Sequence, residues 1–278
     1  MADEQTFPTG DLMKGRRGLI MGVANKNSIA WAIAQQLAAQ GAELAFTYQG
    51  EALERRVKPL VEGLGYTDPI MVQADVTDDA SMDAAFAALQ ERWGELDFLV
   101  HAIAFAGKEQ LAGSFVENTT REGFKSALDI SAYSFIDATR RASKMMKPGG
   151  SIVTLTYLGS ERVVPNYNVM GVAKAALEAS VRYCAADLGP RGIRVNAISA
   201  GPIKTLAAAG IGSGKFMFKF NRAASAMQDN TDPMGVAGAA LYFLSDLGLS
   251  ATGETHHVDG GFHAIGMPME DPLRESLS

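Results

Sequence analysis

From Arg17 to Val258 the chain alternates short runs rich in β-branched and aromatic residues with longer helical stretches, and this rhythm restricts the fold most. The extended runs are Gly18–Met21, Glu43–Thr47, Ile70–Gln73, Phe98–His101, Ser151–Leu155, Arg194–Ile198 and His256–Val258. Parallel strands need long crossovers, which helices supply. The alternation therefore predicts an α/β fold, a mostly parallel sheet covered by helices on both faces. In the first helix Ile29, Ile33 and Leu37 recur at four-residue steps, with Ser28 as the expected N-cap and Gly41 just past the end. Further helices are expected at about Glu51–Glu62, Ser81–Trp93, Glu122–Met145, Asn168–Asp187 and Asp232–Ser245.

A length of 278 residues admits one large domain or two small ones. No Pro/Ser-rich linker separates these elements and no internal repeat is present, so residues 1–278 read as a single domain. One segment, Thr205–Met227, departs from the rhythm, with Gly210, Gly212 and Gly214 followed by Phe216, Phe218 and Phe220. A loop or short-helix lid is expected there, the other reading being an exposed insertion without a role.

Composition narrows the class. Hydrophobic residues make up 47% and charged residues 20%, as in an ordinary soluble globular protein. A net charge of -6 argues against a nucleic-acid partner. Residues 1–18 lack the apolar core of a secretory signal and no run is long enough to span a bilayer, so no membrane role is expected. Cys184 is the only cysteine, which suits a reducing, cytoplasmic setting.

The turn Gly22-Val-Ala-Asn-Lys-Asn-Ser-Ile29 joins the first strand to the first helix, where backbone N–H groups and the helix dipole can hold a pyrophosphate. It has one glycine rather than the three of G-x-G-x-x-G, so alone it reads equally well as a plain strand-to-helix turn. Asp75 and Val76 follow the third strand and Ile103 the fourth, at the carboxyl edge where doubly wound sheets bind ligands. Asp75 can accept from an adenine amine, while Val76 and Ile103 offer apolar walls. After the second strand, Gln49 stands where an acid would bind a ribose diol or an arginine a 2′-phosphate. An amide gives a phosphate no counter-charge, which favours NADH over NADPH. Arg55 and Arg56 follow closely and read as a solvated helix face.

The stretch from Leu155 to Lys174 gathers Tyr157, Tyr167 and Lys174. Lys174 lies seven residues after Tyr167, about two helical turns or roughly 10 Å of rise, on nearly the same face. A phenol is protonated at neutral pH, and a nearby ammonium favours charge developing on its oxygen. Such a donor suits an enolate oxygen, the charge that collects when hydride adds to the β-carbon of an enoyl thioester. Tyr167 is the expected donor and Lys174 the ribose ligand, with Tyr157 orienting the thioester or walling the pocket. His101, His256, His257 and His263 form neither H-E-x-x-H nor a Cys/His cluster, and no metal is assigned.

These residues together resemble the short-chain dehydrogenase/reductase superfamily, whose fold is a Rossmann-type doubly wound sheet, and within it the bacterial NADH-linked enoyl-acyl-carrier-protein reductases. The resemblance covers about Gly15 to Gly266 and also rests on Ala45-Phe-Thr-Tyr-Gln49, Thr120-Arg-Glu-Gly-Phe124, Arg194-Val-Asn-Ala-Ile-Ser-Ala-Gly-Pro-Ile203 and His257-Val-Asp-Gly-Gly-Phe262. Most superfamily members place the tyrosine four residues before the lysine, where this chain has Met170. The enoyl reductases leave six residues between them, as Tyr167 and Lys174 do, and carry a second tyrosine upstream like Tyr157. Carbonyl or alcohol oxidoreduction is thereby the weaker reading, and a silent nucleotide-binding regulator is the alternative from a different class.

The resemblance implies cofactor contacts at Gly22, Ser28, Ile29, Gln49, Asp75, Val76, Ile103, Lys174 and Ile203-Lys204-Thr205-Leu206-Ala207, and an acyl contact at Ala106. It implies a homotetramer and closure of the segment after Ile203 over substrate. Gly212, Ser213, Phe216 and Gln228–Met234 depart from the family's more charged pattern, leaving Lys215, Lys219 and Arg222 as a reduced basic patch for acyl carrier protein.

Overall fold

Every expected extended run pairs as a parallel strand in the computed structural model, which describes residues 7–205, 214–270 and 272. The strands are β1 (Arg17–Met21), β2 (Glu43–Tyr48), β3 (Ile70–Gln73), β4 (Phe98–His101), β5 (Ser151–Thr156), β6 (Arg194–Ala200) and β7 (Thr255–Val258). They form one sheet in the order β3-β2-β1-β4-β5-β6-β7. Leu19 of β1 is in register with Ala45 of β2 on one side and Leu99 of β4 on the other. The chain leaves β1 toward β2 and later returns to its other side as β4. The order therefore reverses between β1 and β4, which opens a crevice at their carboxyl ends.

Helices α1 (Ile29–Ala39), α2 (Glu51–Glu62) and α3 (Asp79–Trp93) supply the first crossovers. Short α4 (Lys108–Leu111) and α5 (Phe115–Asn118) precede α6 (Arg121–Leu128) and α7 (Ser134–Met145). The expected single helix over Glu122–Met145 is instead interrupted by a π-helical turn at Asp129–Tyr133. Helix α8 (Asn168–Leu188) follows β5, and α9 (Gly214–Ala224) and α10 (Pro233–Leu244) lie between β6 and β7. Asp232 caps α10, accepting from the Met234 N–H, and Pro233 occupies its first turn, where its missing donor costs nothing.

Alternation along the strands divides the core. Ile20, Phe46, Val100, Val153 and Ile198 face α1 and α10 through Ile33, Leu37, Val236 and Phe243. Leu19, Leu99, Ile152 and Val195 face α3, α7 and α8 through Leu89, Phe135, Leu177 and Val181. Both faces are dry over central strands such as β1, β4 and β5, which is why these read as continuous apolar runs. Burying each such side chain contributes about 1.5–3 kcal/mol relative to exposure.

At the switch point Gly22 has φ +103°, and a Cβ there would sit 2.2 Å from the Ala102 carbonyl oxygen. Only glycine lets the turns after β1 and β4 approach this closely. Of the expected lid, residues 206–213 lie outside the described residues. The following α9 packs through Phe220 on Phe262, ring centroids 6.1 Å apart, and Phe216 stacks on Phe220.

Candidate active site

The strand β5 delivers Tyr157 to the carboxyl edge of the sheet, and a 3-10 turn, Leu158–Ser160, follows it at once. The chain then enters α8 with Tyr167 at the N-cap position, between Asn166 and Asn168, whose φ values are +61° and +40°. Asparagine tolerates this left-handed region better than most residues. The two turns bring the tyrosine rings edge to face, centroids 5.0 Å apart. Gly159 permits it, because a Cβ at that position would lie 2.3 Å from Cδ1 of Tyr167. Gly171 likewise lets α8 approach the turn, its Cβ position being 2.6 Å from the Gly159 carbonyl oxygen. Ala106, Tyr157 and Tyr167 share one small apolar cluster with Met170, Ala173, Leu111, Leu128 and Val164.

Burial governs the ionisable groups. Tyr167 is 8% exposed, and burial pushes its phenol well above the usual tyrosine range, with Tyr157 and Glu178 adding to the rise. Burial is the largest cause of that rise, since loss of hydration disfavours the charged phenolate. Burial, and then the charge of Asp259, pushes Tyr157 up to about 12. Both tyrosines are therefore phenols, hydrogen-bond donors, throughout the neutral range. Burial lowers Lys174 to about 8, against the upward pull of Glu178. The Lys174 ammonium donates to the Leu155 carbonyl at 2.8 Å, leaving two N–H bonds for another partner. On β4, burial holds His101 down to about 3, a neutral ring between Ser134 Oγ (2.9 Å) and Thr154 Oγ1 (3.2 Å).

Sequence reasoning missed two residues beside this set. Glu178 is 7% exposed, one helical turn after Lys174, and its Oε1 accepts from Thr156 Oγ1 at 2.6 Å and Ser160 Oγ at 2.5 Å. The four-residue step from Lys174 was the available signal. Ser131 sits in the π-helical turn, and its hydroxyl spans the backbone of Phe105, accepting from the N–H (3.0 Å) and reaching the carbonyl (3.2 Å). It thereby ties down the loop carrying Ala106. No compositional signal marks a π turn.

At the nucleotide end Ser28 holds the N-cap position of α1, but its hydroxyl makes no cap bond. It accepts from the Ala24 and Asn25 N–H groups at 3.0 and 3.1 Å, which closes the loop, while the Ser28 carbonyl takes the first-turn Trp31 N–H at 3.0 Å. That corrects the expected capping role. Gln49 Nε2 donates to Asp75 Oδ2 at 3.0 Å, so these two expected cofactor residues meet at the sheet edge. Bonds from the Thr77 N–H, Gln49 and the Thr77 hydroxyl hold Asp75 below the usual carboxylate range. Val76 and Ile103 are partly buried against the same core cluster. Arg55 pairs with Glu51 on an exposed face of α2.

A cleft runs from Lys26, Asn27 and Ser28 past Pro202, Ile203 and Lys204 to Phe218. Ile203 is buried, Lys204 Nζ lies 6.0 Å from the Phe218 ring centroid, and the Thr205 N–H donates to the Ile203 carbonyl at 2.8 Å. Leu206 and Ala207 lie outside the described residues. A dinucleotide fits this donor set: a glycine-only approach at Gly22, a helix N-terminus without a side-chain cap behind Ser28, the Gln49–Asp75 pair and a buried ammonium. Among the described residues no group of three His, Cys, Asp or Glu side chains is placed to hold a metal ion, and no helix is long and apolar enough to cross a membrane.

Comparison with known proteins points the same way. Residues 22–263 match the family model described as enoyl-(acyl carrier protein) reductase. The chain is 56% identical over 260 residues to the enoyl-(acyl-carrier-protein) reductase (NADH) 1 of Rhizobium meliloti, covering 94% of each chain. Among solved structures, the enoyl-(acyl-carrier-protein) reductase of Anaplasma phagocytophilum in complex with NAD is 52% identical, with TM-score 0.90, over 95% of this chain and 100% of that one. The Bacillus cereus enoyl-acyl carrier protein reductase with NADP+ and indole naphthyridinone is 47% identical, also with TM-score 0.90, over 92% and 100%.

Proposed function

The chain belongs to the enoyl-(acyl carrier protein) reductase family, and from that premise we propose that it reduces the trans-2 double bond of an enoyl thioester on acyl carrier protein, using NADH, in fatty-acid elongation. The observation that carries this reading is the convergence of a buried phenol at Tyr167, a half-buried one at Tyr157, an apolar wall at Ala106 and a buried ammonium at the carboxyl edge of the sheet. When bound, NADH supplies the hydride for the β-carbon.

Tyr167 donates its O–H to the thioester oxygen, where negative charge collects as the enolate forms. A donor already held in a dry site stabilises that charge without reorganising at the moment of reaction. The raised pKa of the phenol keeps its proton in place until the enolate is there to share it. Tyr157, edge-on to Tyr167, orients the thioester and closes the wall with Ala106. Lys174 holds the ribose with the two N–H bonds that Leu155 leaves.

Gly22, Ser28 and Ile29 hold the pyrophosphate, Asp75 takes the adenine amine with Val76 and Ile103 as walls, and Ile203–Ala207 covers the nicotinamide half. Gln49 accepts or donates to ribose hydroxyls and offers a 2′-phosphate no charge, while Arg55 is engaged by Glu51. NADH is therefore favoured over NADPH. Segment 205–227 covers the substrate, with exposed Lys219 and Arg222 one turn apart on α9, and Lys215 before them, meeting the acidic carrier. Phe124, Tyr133 and Ile136 are all at least 36% exposed around a groove between α6, the π turn and α8. That apolar face supports a homotetramer. A cytoplasmic setting suits the half-buried thiol of Cys184.

The test is NADH absorbance with an enoyl thioester and, separately, with ketone and β-ketoacyl substrates. Oxidation with the first alone is expected. Oxidation with the ketones alone assigns carbonyl chemistry, and oxidation with neither makes the chain a silent nucleotide binder.

A further inference from the structure

Glu178 is a carboxylate in the dry interior of an active site, yet the chemistry above assigns it nothing. Its partners are informative. Thr156 and Ser160 bracket Tyr157 in sequence, one before the 3-10 turn and one at its end, and both hydroxyls reach the same oxygen, Oε1. Ser160 Oγ also lies 2.9 Å from the Tyr157 carbonyl. One turn back on the same helix, Lys174 donates to Leu155, the residue before Thr156. From α8, Lys174 and Glu178 thus grip Leu155, Thr156 and Ser160, on both sides of Tyr157, Lys174 through the main chain and Glu178 through hydroxyls.

We infer that Glu178 is a positioning residue: its carboxylate clamps the turn that presents Tyr157, and its negative charge, one helical turn from Lys174, keeps that ammonium protonated for the cofactor ribose. This rests on the roles given above to Tyr157 and Lys174. Glu178 is the group that opposes the effect of burial on Lys174. His101, facing from β4, is neutral, since burial holds it near 3. Tyr157 and Tyr167 are protonated phenols. Asp259, after β7, is engaged by His263 Nδ1 at 2.9 Å and faces Tyr157. Without a counter-charge, a lysine buried to this degree sheds its proton more readily.

Two variants separate charge from reach. Glu178→Gln keeps the length and an acceptor oxygen but loses the charge, whereas Glu178→Asp keeps the charge and loses reach. NADH dissociation constants would be measured by fluorescence from about pH 6 to 9.5, where the basic limb of wild type reports Lys174, which burial sets near 8. The Gln variant is expected to move that limb toward acid by about one unit, so that NADH binds about tenfold more weakly on the alkaline side. The Asp variant is expected to keep the limb in place and raise KM for the enoyl thioester several-fold, with NADH affinity retained. A Gln variant whose limb coincides with wild type, or a pair that differs from wild type only in thermal midpoint, overturns the proposal. NADH titration needs no turnover. A wild type that binds NADH but leaves enoyl thioesters untouched contradicts the substrate assignment instead, and the two failures stay distinguishable.

Discussion

The two ends of the site are built in opposite ways. At the nucleotide end the polar groups are near the surface and satisfy one another: Gln49 donates to Asp75, Asp75 accepts from Thr77, and Ser28 closes its own loop. At the chemical end the groups are buried and fixed by contacts that leave no slack, with Gly159 against the Tyr167 ring and Glu178 against the turn. Hydrogen bonds between exposed side chains exchange readily with ligand or water, while a buried ring in van der Waals contact on several sides does not. The nucleotide end can therefore trade partners when a cofactor arrives, whereas the chemical end is assembled beforehand.

The sharpest way to break this contrast is to alter the chemical end without enlarging or emptying it. Tyr167→Phe removes one oxygen, and turnover is expected to fall about 10²–10³-fold, the cost of losing one oxyanion donor, with NADH affinity nearly unchanged. Lys174→Ala in parallel should weaken NADH binding as well. Equal turnover in wild type and the Phe variant would take Tyr167 out of the mechanism. Gly159→Ala comes next: its new methyl must displace the Tyr167 ring, so kcat should drop by about one to two orders of magnitude while the thermal midpoint falls only modestly. Unchanged kcat would mean that the turn is softer than its packing implies. Smallest is a change at the adaptable end. Gln49→Arg should raise NADPH use relative to NADH by about tenfold, the effect of one charge-assisted contact, with kcat on NADH retained. If the preference stays where it was, Gln49 does not read the 2′ position.

The same contrast decides what could be read from the sequence. Strand positions such as Gly18–Met21 and Phe98–His101 are legible because both sheet faces are dry there and the apolar runs are continuous. Helix α10 is legible through Asp232 and Pro233, a local capping signal. Tyr157, Tyr167 and Lys174 stand out because they lie close together along the chain. The break at Asp129–Tyr133 was not legible, since it is held by Ser131 reaching Phe105, 26 residues away. Glu178 was visible as a helical residue four past Lys174, but its burial depends on where β5 places Thr156 and Ser160. The Ser28 hydroxyl misled for a related reason, because a cap and a loop closure look alike until the loop's backbone is folded.

In the proposed reaction the buried phenol of Tyr167 meets the thioester oxygen of an enoyl substrate beside the bound dinucleotide. A crystal structure of the protein with NAD+ and an enoyl thioester analogue measures this directly. The Tyr167 hydroxyl is expected about 2.6–3.2 Å from the thioester oxygen, with the Tyr157 ring against the acyl chain. A hydroxyl turned away from the nicotinamide ring, with water or Tyr157 alone on that oxygen, would contradict it.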